Sequence, residues 1–480
     1  MIALLLIFIP ICTGIISLFL NGSNAKWIGM IGAIATLTIS LIGTYTTDTD
    51  LLSFDSNWMP DLGSRITLQL DGMSSMLCLL SAIALPLIFS ATWKQTESAQ
   101  KNYHGLMLLT QAGLMGVFVS MDCLLFYFFW ELALIPAYFL CSFAGGEKRI
   151  KIIFKFFVYT FLGSLLLLIG ILTIYFKSGD HSFAWESLKQ VKLSNTEQSF
   201  VFWMFFIAFA IKMPIFPFHT WQPDTYEQAP TGVTMLLSGV MVKMGLFAVI
   251  RWLLPLTPDA SIYFSNAIII ISIVGMIYAS LIAIKQDDIK RLIAYSSIAH
   301  IGLMCAAIFS HQSSGMQGVM IQLFNHGVNV IGLWIVAYAI EQSTGTRKMS
   351  ELGGLAKKAP TLAILFVIMA LANIAIPLTN AFAGEFLMFN GLFRYNVWIA
   401  ALAGVSIILA AVYTLWMVQN IFYGEEKPAT SLVSDAGLEI KLPLLIIAAV
   451  ILLFGFYPQP MIDFTADTVT NLFTTVTAKQ

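Results

Sequence analysis

The chain predicts an all-α, polytopic membrane protein of about fourteen transmembrane helices, with two broken helices and two inverted five-helix repeats. Three observations carry that expectation. Of 480 residues, 58% are hydrophobic and only 11% charged, and the mean hydropathy is +0.83, whereas a soluble domain is normally about 25% charged. Apolar runs of the roughly 20 residues needed to cross a hydrocarbon core follow one another along the whole chain. Between them, no stretch is long enough to build a soluble domain with its own core.

The first expected span is 1–20. Its sequence, MIALLLIFIPICTGIISLFL, lacks a basic leader and a small-residue cleavage site, and its apolar run exceeds that of a signal peptide, so it reads as a retained span. Spans at 27–46 and 71–92 complete an N-terminal segment, residues 1–103. Between them, Arg65, Thr67 and Gln69 alternate with Ile66, Leu68 and Leu70. That period of two suggests a short surface hairpin within 47–70. Spans at 104–120, 122–143, 152–176, 198–220 and 231–253 form a first block, 104–253. Spans at 261–284, 289–309, 316–340, 361–394 and 397–422 form a second, within 254–422. A last span at 440–458 lies in a C-terminal helix and tail, 423–480.

The fourth span of each block is interrupted. Residues 213–230 read MPIFPFHTWQPDTYEQAP, with Pro214, Pro217, Pro223 and Pro230; residues 375–385 read AIPLTNAFAGE, with Pro377 and Gly384. Proline removes a backbone donor and clashes one turn back. Such breaks survive in a bilayer only when buried in protein or lining a hydrated cavity. An odd number of spans per block turns the second block upside down, the pattern of an inverted repeat with polar sites near the midplane. With the N-terminus outside, 16 basic residues, Lys101, Lys148, Arg291 and Arg347 among them, fall on inner loops and helix ends, against 7, including Arg65, Arg251 and Lys479, on the outer side. That bias puts both ends outside.

Several functions are excluded. The five cysteines (Cys12, Cys78, Cys123, Cys141, Cys305) all sit in apolar spans without CxxC or Cys/His clustering, so they read as small buried side chains, not iron–sulfur or haem ligands. No nucleotide-binding motif is visible. No ligand set has metal-site spacing, and a net charge of −1 does not suit nucleic acid.

Four ionisable residues stand inside apolar runs: Glu131 in CLLFYFFWELALIPAYFL, Lys212 in VFWMFFIAFAIKMPIFPF, Lys243 in TGVTMLLSGVMVKMGLFAVI, and Glu385 at the second break. A charge at bilayer depth costs at least about 2.5–3.5 kcal/mol, so such residues face a partner or a watery path. Together they imply ion movement through the membrane. Burial disfavours the charge of Glu131 and of Lys212, and proximity would restore it. A pair that opens and closes could bind and release a proton; a fixed pair would be structural. Lys243 is too deep to snorkel to either face. His300 and His326 lie in apolar spans between Lys243 and Glu385 in chain order, where they suit a proton relay or simple packing. His219, Asp224 and Glu227 follow the first break and serve either proton uptake or loop solvation. Lys155 either modulates the Glu131–Lys212 pair or snorkels. Asp287, Asp288 and Lys290 read as a solvated helix end.

The segment AFAIKMPIFPFHTWQPDTYEQAPTGVTMLLSGVMVKMGLFAVIRW resembles the signature of antiporter-like, proton-translocating membrane subunits. So do FYFFWELALIPAYFL, QDDIKRLIAYSSIAHIGLM and LFNHGVNVIGLW. That family includes the large membrane subunits of NADH:quinone oxidoreductase, respiratory complex I, and of Mrp-type cation/proton antiporters. Glutamate at the Glu385 position resembles one complex I branch; the others and the Mrp proteins usually carry lysine. The resemblance implies fourteen helices in two inverted repeats and proton-translocating roles for Glu131, Lys212, Lys243, His300, His326 and Glu385. It implies no cofactor, metal or catalytic redox centre in this chain, with NADH, FMN, iron–sulfur clusters and quinone in partner subunits. The partners implied are the neighbouring antiporter-like subunits L and N and, through the complex, the peripheral redox arm. The location implied is the bacterial cytoplasmic membrane, with both termini periplasmic. Tyr226 stands where relatives commonly have histidine, a departure that touches the details of proton uptake. The rival readings are an antiporter subunit and an inert membrane scaffold.

Overall fold

Among the described residues, three helices have their apolar spans enclosed by protein: Thr231–Leu256, Ile289–Phe309 and Ser313–Thr344. At the rim, Gly22–Tyr45, Val397–Tyr423 and Leu438–Phe456 bury only 33% of theirs and turn Trp27, Ile31, Ile408 and Leu442 outward. Lipid is as apolar as leucine, so enclosure brings a helix no hydrophobic gain. What it supplies is neighbours that can satisfy polar groups. The enclosed helices are the ones carrying Lys243, His300 and His326.

The structure, a computed structural model, describes residues 1–94 and 102–477; Lys101 and Lys479, used above to assign sidedness, lie outside the described residues. Among the described residues, ten helices are long and apolar enough to cross a membrane, fewer than the fourteen spans expected. The other expected spans are shorter or interrupted. Ile2–Leu18, Tyr103–Val119 and Pro360–Asn373 are short apolar helices, and the 198–220 span stops at Lys212. Cys78, Cys123, Cys141 and Cys305 are buried thiols, but Cys12 is exposed on the rim helix Ile2–Leu18, beside outward-facing Phe8, Ile15 and Ile16.

The surface hairpin forms from strands Ser53–Met59 and Ser64–Gln69, with Phe54 opposite Leu68 and a bulge between Asn57 and Met59. Buried Asp122 fixes it to the bundle. One carboxylate oxygen accepts from Ser64 Oγ (2.9 Å) and the Leu124 and Leu125 amides (both 3.0 Å), and the other from the Arg65 amide (3.0 Å). The same side chain therefore caps helix Cys123–Phe143 and ties down the hairpin. Asp122→Ala should cost about 1–3 kcal/mol through the amides left unpaired and speed protease cleavage within 53–69; cleavage at the native rate would contradict this.

The tail contains an element that composition did not suggest. Residues Gln459–Thr477 form a helix that lies against Gly72–Ala91 and Ser313–Thr344. Gln317 Nε2 donates to Thr465 Oγ1 (2.7 Å) and the Ile462 carbonyl (3.0 Å), which pins it there.

Candidate functional site

The first break follows from proline chemistry. Helix Asn195–Lys212 begins at a Ser194/Glu197 capping box and ends because Pro214 would collide with the Ala210 carbonyl. The freed carbonyls are satisfied locally: Ile215 N bonds to Ala210 O (3.0 Å) and Trp221 Nε1 to Ile211 O (2.9 Å). The chain then resumes as helix Trp221–Gln228. This places Lys212 at the end of a half-helix, 2% exposed, its amine without a protein hydrogen-bond partner and 5.4 Å from the Trp130 ring. Glu131, next to Trp130, has one carboxylate oxygen buried and unpaired, and it is the charged group whose field reaches Lys212. The two are brought near but form no ion pair.

Lys243 is fully buried. Its helix runs with wide π turns at Leu237–Met241 and Val249–Leu253, on either side of the α segment Lys243–Ala248. Lys243 Nζ donates to the carbonyl of Ser238, inside the first wide turn, at 2.7 Å. A π turn redirects backbone carbonyls and recurs at functional sites. Nothing in the residue order signals it.

Beyond Lys243 the titratable groups follow closely. His326 is buried with neither ring nitrogen paired, and Lys243 and His300 are the charged or titratable groups whose fields reach it. The His326 and His300 rings are 5.4 Å apart, and His300 Nδ1 lies 3.1 Å from Glu385 Oε1. Gln322 Nε2 approaches the same oxygen at 3.4 Å. A cavity of about 10 Å³ between His300, Glu385, Ser406 and Tyr413 has room for roughly one water.

The second break is held by amides that sequence reasoning passed over. Helix Pro360–Asn373 stops four residues before Pro377, and helix Asn380–Tyr395 follows. Asn329 Nδ2 donates to Ala372 O (3.4 Å), and Asn325 Nδ2 to Asn380 O (2.8 Å). Asn373 Nδ2 reaches Ser296 Oγ (3.2 Å) and Thr414 Oγ1 (3.1 Å). Ala375 and Leu378 are left-handed (φ 57° and 74°), a strain of about 1–3 kcal/mol each that the surroundings must hold. Gly455 makes room, since a Cβ there would come within 2.1 Å of the Leu378 carbonyl oxygen. The missed signal was present: Gln322, Asn325, His326 and Asn329 recur at helical spacing along an apolar helix.

The other candidates gather at the face bearing most of the basic side chains. Asp224 is shared by Lys155 Nζ (2.9 Å) and Arg291 Nη1 (3.1 Å), and Arg291 Nη1 also reaches Glu227 Oε2 (2.7 Å). His219 is buried with Nδ1 unpaired, against the Phe216 and Tyr278 rings. Among the described residues, no cluster of three or more His, Cys, Asp or Glu could hold a metal.

Comparisons with known proteins agree with this fold. A family model described as NADH:quinone oxidoreductase/Mrp antiporter, TM, matches residues 120–411. NADH-quinone oxidoreductase subunit M of Rhodobacter capsulatus is 34% identical over 465 residues, covering 94% of this chain and 90% of that protein. The fold matches a chain of respiratory complex I from Thermus thermophilus with bound NADH at a TM-score of 0.93 and 29% identity, over 99% of this chain and 100% of that one. A chain of the Mrp complex from Dietzia sp. DQ12-45-1b matches at 0.87 with 21% identity, over 99% and 98%; that likeness is one of fold alone.

Proposed function

Because the chain belongs to the NADH:quinone oxidoreductase/Mrp antiporter family of membrane subunits, we propose that it is a proton-translocating subunit of a respiratory NADH:quinone oxidoreductase, in the position of subunit M. It sits in the bacterial cytoplasmic membrane with both termini periplasmic, beside antiporter-like neighbours of types L and N. It carries no redox centre. NADH oxidation and quinone reduction take place in partner subunits that hold FMN and iron–sulfur clusters, and they drive changes of protonation here.

The observation that carries this reading is the row of titratable groups from Lys212, in the field of Glu131, through Lys243, His326 and His300 to Glu385, all of them buried except the partly buried His300. Ionisable side chains in a membrane are costly and mark proton or ion pathways. Lys212 without a hydrogen bond and His326 with both nitrogens free suit groups that gain and lose protons better than fixed bolts. Residues 104–253 take protons from the cytoplasm, and the inverted block within 254–422 releases them. Lys155, His219, Asp224 and Glu227 set the field at the cytoplasmic end.

Glu131 acts on Lys212 across space, so Glu131→Ala should lower NADH-driven proton translocation in membrane vesicles by about tenfold, the effect of roughly 1.4 kcal/mol, with the complex still assembled. Native pumping in that variant would sink the proposal. Co-purification in mild detergent supplies a second check, with flavin and iron–sulfur proteins expected alongside this chain.

A further inference from the structure

We infer that protons reach Lys243 from Glu341, held by Lys290 at the basic face, along a ladder of hydroxyls on helix Thr231–Leu256. This rests on the reading that Lys243 carries protons.

A cavity of about 610 Å³ opens at that face, lined by Glu227, Thr231, Asp288, Lys290, Glu341 and Arg347 among others. Lys290 was expected on a solvated helix end. It is instead 4% exposed, with Nζ 3.1 Å from Glu341 Oε2. Asp288 fits the expectation better: it accepts from the Arg291 amide and lies 3.2 Å from Arg347 Nε. Arg347 Nε is also 3.8 Å from Glu341 Oε1. Glu341, 27% exposed, thus touches the cavity on one side. On the other it accepts from Thr231 Oγ1 at 3.1 Å, and Thr231 is the first residue of the helix that carries Lys243.

From Thr231 the same helix face runs inward. Thr231, Thr234 and Ser238 fall at i, i+3 and i+7, one above another, and are 5%, 0% and 0% exposed. Ser238 Oγ has no protein partner. Neither does the Tyr226 hydroxyl nor either polar atom of the Gln222 amide, all wholly buried. Gln222 and Ser238 lie within interacting reach of the Tyr226 hydroxyl, although no bond of ordinary geometry joins them. At the top, the Ser238 carbonyl accepts from Lys243 Nζ.

Buried polar groups left unpaired are exceptional and call for a reason. Here three such side chains from two elements, Gln222, Tyr226 and Ser238, come together beside the helix that runs from the charged cavity to Lys243. Side chains one turn apart have Cβ atoms about 5–6 Å from each other, close enough for one ordered water to bridge their hydroxyls. Each oxygen in such a row accepts one proton and gives up another, so only a proton is moved. It comes to rest on a neutral Lys243 amine, and Glu341 refills from the cavity. The ladder also gives Tyr226 a part as a relay hydroxyl.

The test is NADH-driven proton translocation by vesicles carrying the assembled complex, with Ser238→Ala, Glu341→Gln, Glu341→Asp and Lys243→Ala compared. Ser238→Ala deletes a hydroxyl that makes no hydrogen bond of ordinary geometry within the protein, so the complex should assemble in native amounts. Pumping should nevertheless fall at least about tenfold, the lower end of what removing a proton-transfer group costs. Glu341→Gln should fall likewise and Glu341→Asp should recover most of the loss. Native pumping in Ser238→Ala, or no recovery in Glu341→Asp, overturns the inference. Native pumping in Lys243→Ala would instead overturn the central lysine's role, and with it the reading on which the ladder rests.

Discussion

Lys243→Met should nearly abolish proton translocation while leaving the complex as heat-resistant as before, or more so. The two effects have opposite signs because they come from different properties of one side chain. Removing a group that passes protons typically costs about 10²–10⁴-fold in rate, and here Lys243 is the buried basic group lying between the first break and the His326–His300–Glu385 cluster. Burying an ammonium is unfavourable, and replacing buried charge by an apolar side chain of similar volume is often neutral or stabilising. Methionine is flexible enough to fill the space. The single hydrogen bond lost, to the Ser238 carbonyl, is worth only about 1.5–3 kcal/mol before desolvation is set against it. Vesicle acidification and thermal inactivation of the assembled complex check the two halves. A variant that pumps normally would remove Lys243 from the path.

Arg251→Ala should produce the largest loss of stability, about 3–5 kcal/mol, the usual cost of breaking a buried ion pair. Arg251 is 6% exposed, and its guanidinium pairs with Asp71 and reaches Ser74 Oγ at 3.3 Å. Asp71 caps helix Gly72–Ala91 by accepting from the Ser74 amide, and the Arg251 carbonyl accepts from Trp185 Nε1 at 3.1 Å. One residue therefore joins the enclosed helix, a neighbouring helix start and the short helix Trp185–Leu188. Alanine would leave Asp71 charged and unpaired. Adding Asp71→Asn should recover part of the loss, since the two side chains share one interaction. Heat-induced loss of the subunit from the complex measures this, and a double variant no better than the single one would contradict it.

Much of the candidate site is legible in the sequence because its logic is local. A lysine or glutamate inside an apolar run stands out from its neighbours, and Lys212, Lys243, Glu131 and Glu385 were found that way. Proline announced both breaks, since its clash lies four residues back. The rest depends on contacts between distant segments. Asn325 and Asn329 matter only because the ends of a broken helix arrive beside them, and Lys290 reads as solvated until Glu341, fifty-one positions later, covers it. The π turns around Lys243 leave no mark in composition. Helix Gln459–Thr477 was hidden by its modest hydropathy, low enough to read as tail.

Glu131, Lys212, Lys243, His326 and His300 each stand near the middle of a helix or of a broken pair. On the proposed reading, charge handed among them would travel sideways within the bilayer rather than through its thickness. A transmembrane voltage does work, about 2.3 kcal/mol per elementary charge per 100 mV, only on displacement across that thickness. The electrical back-pressure of an energised cell would then fall on loading and discharge at the two faces, while the lateral hand-over between them would proceed at nearly constant potential.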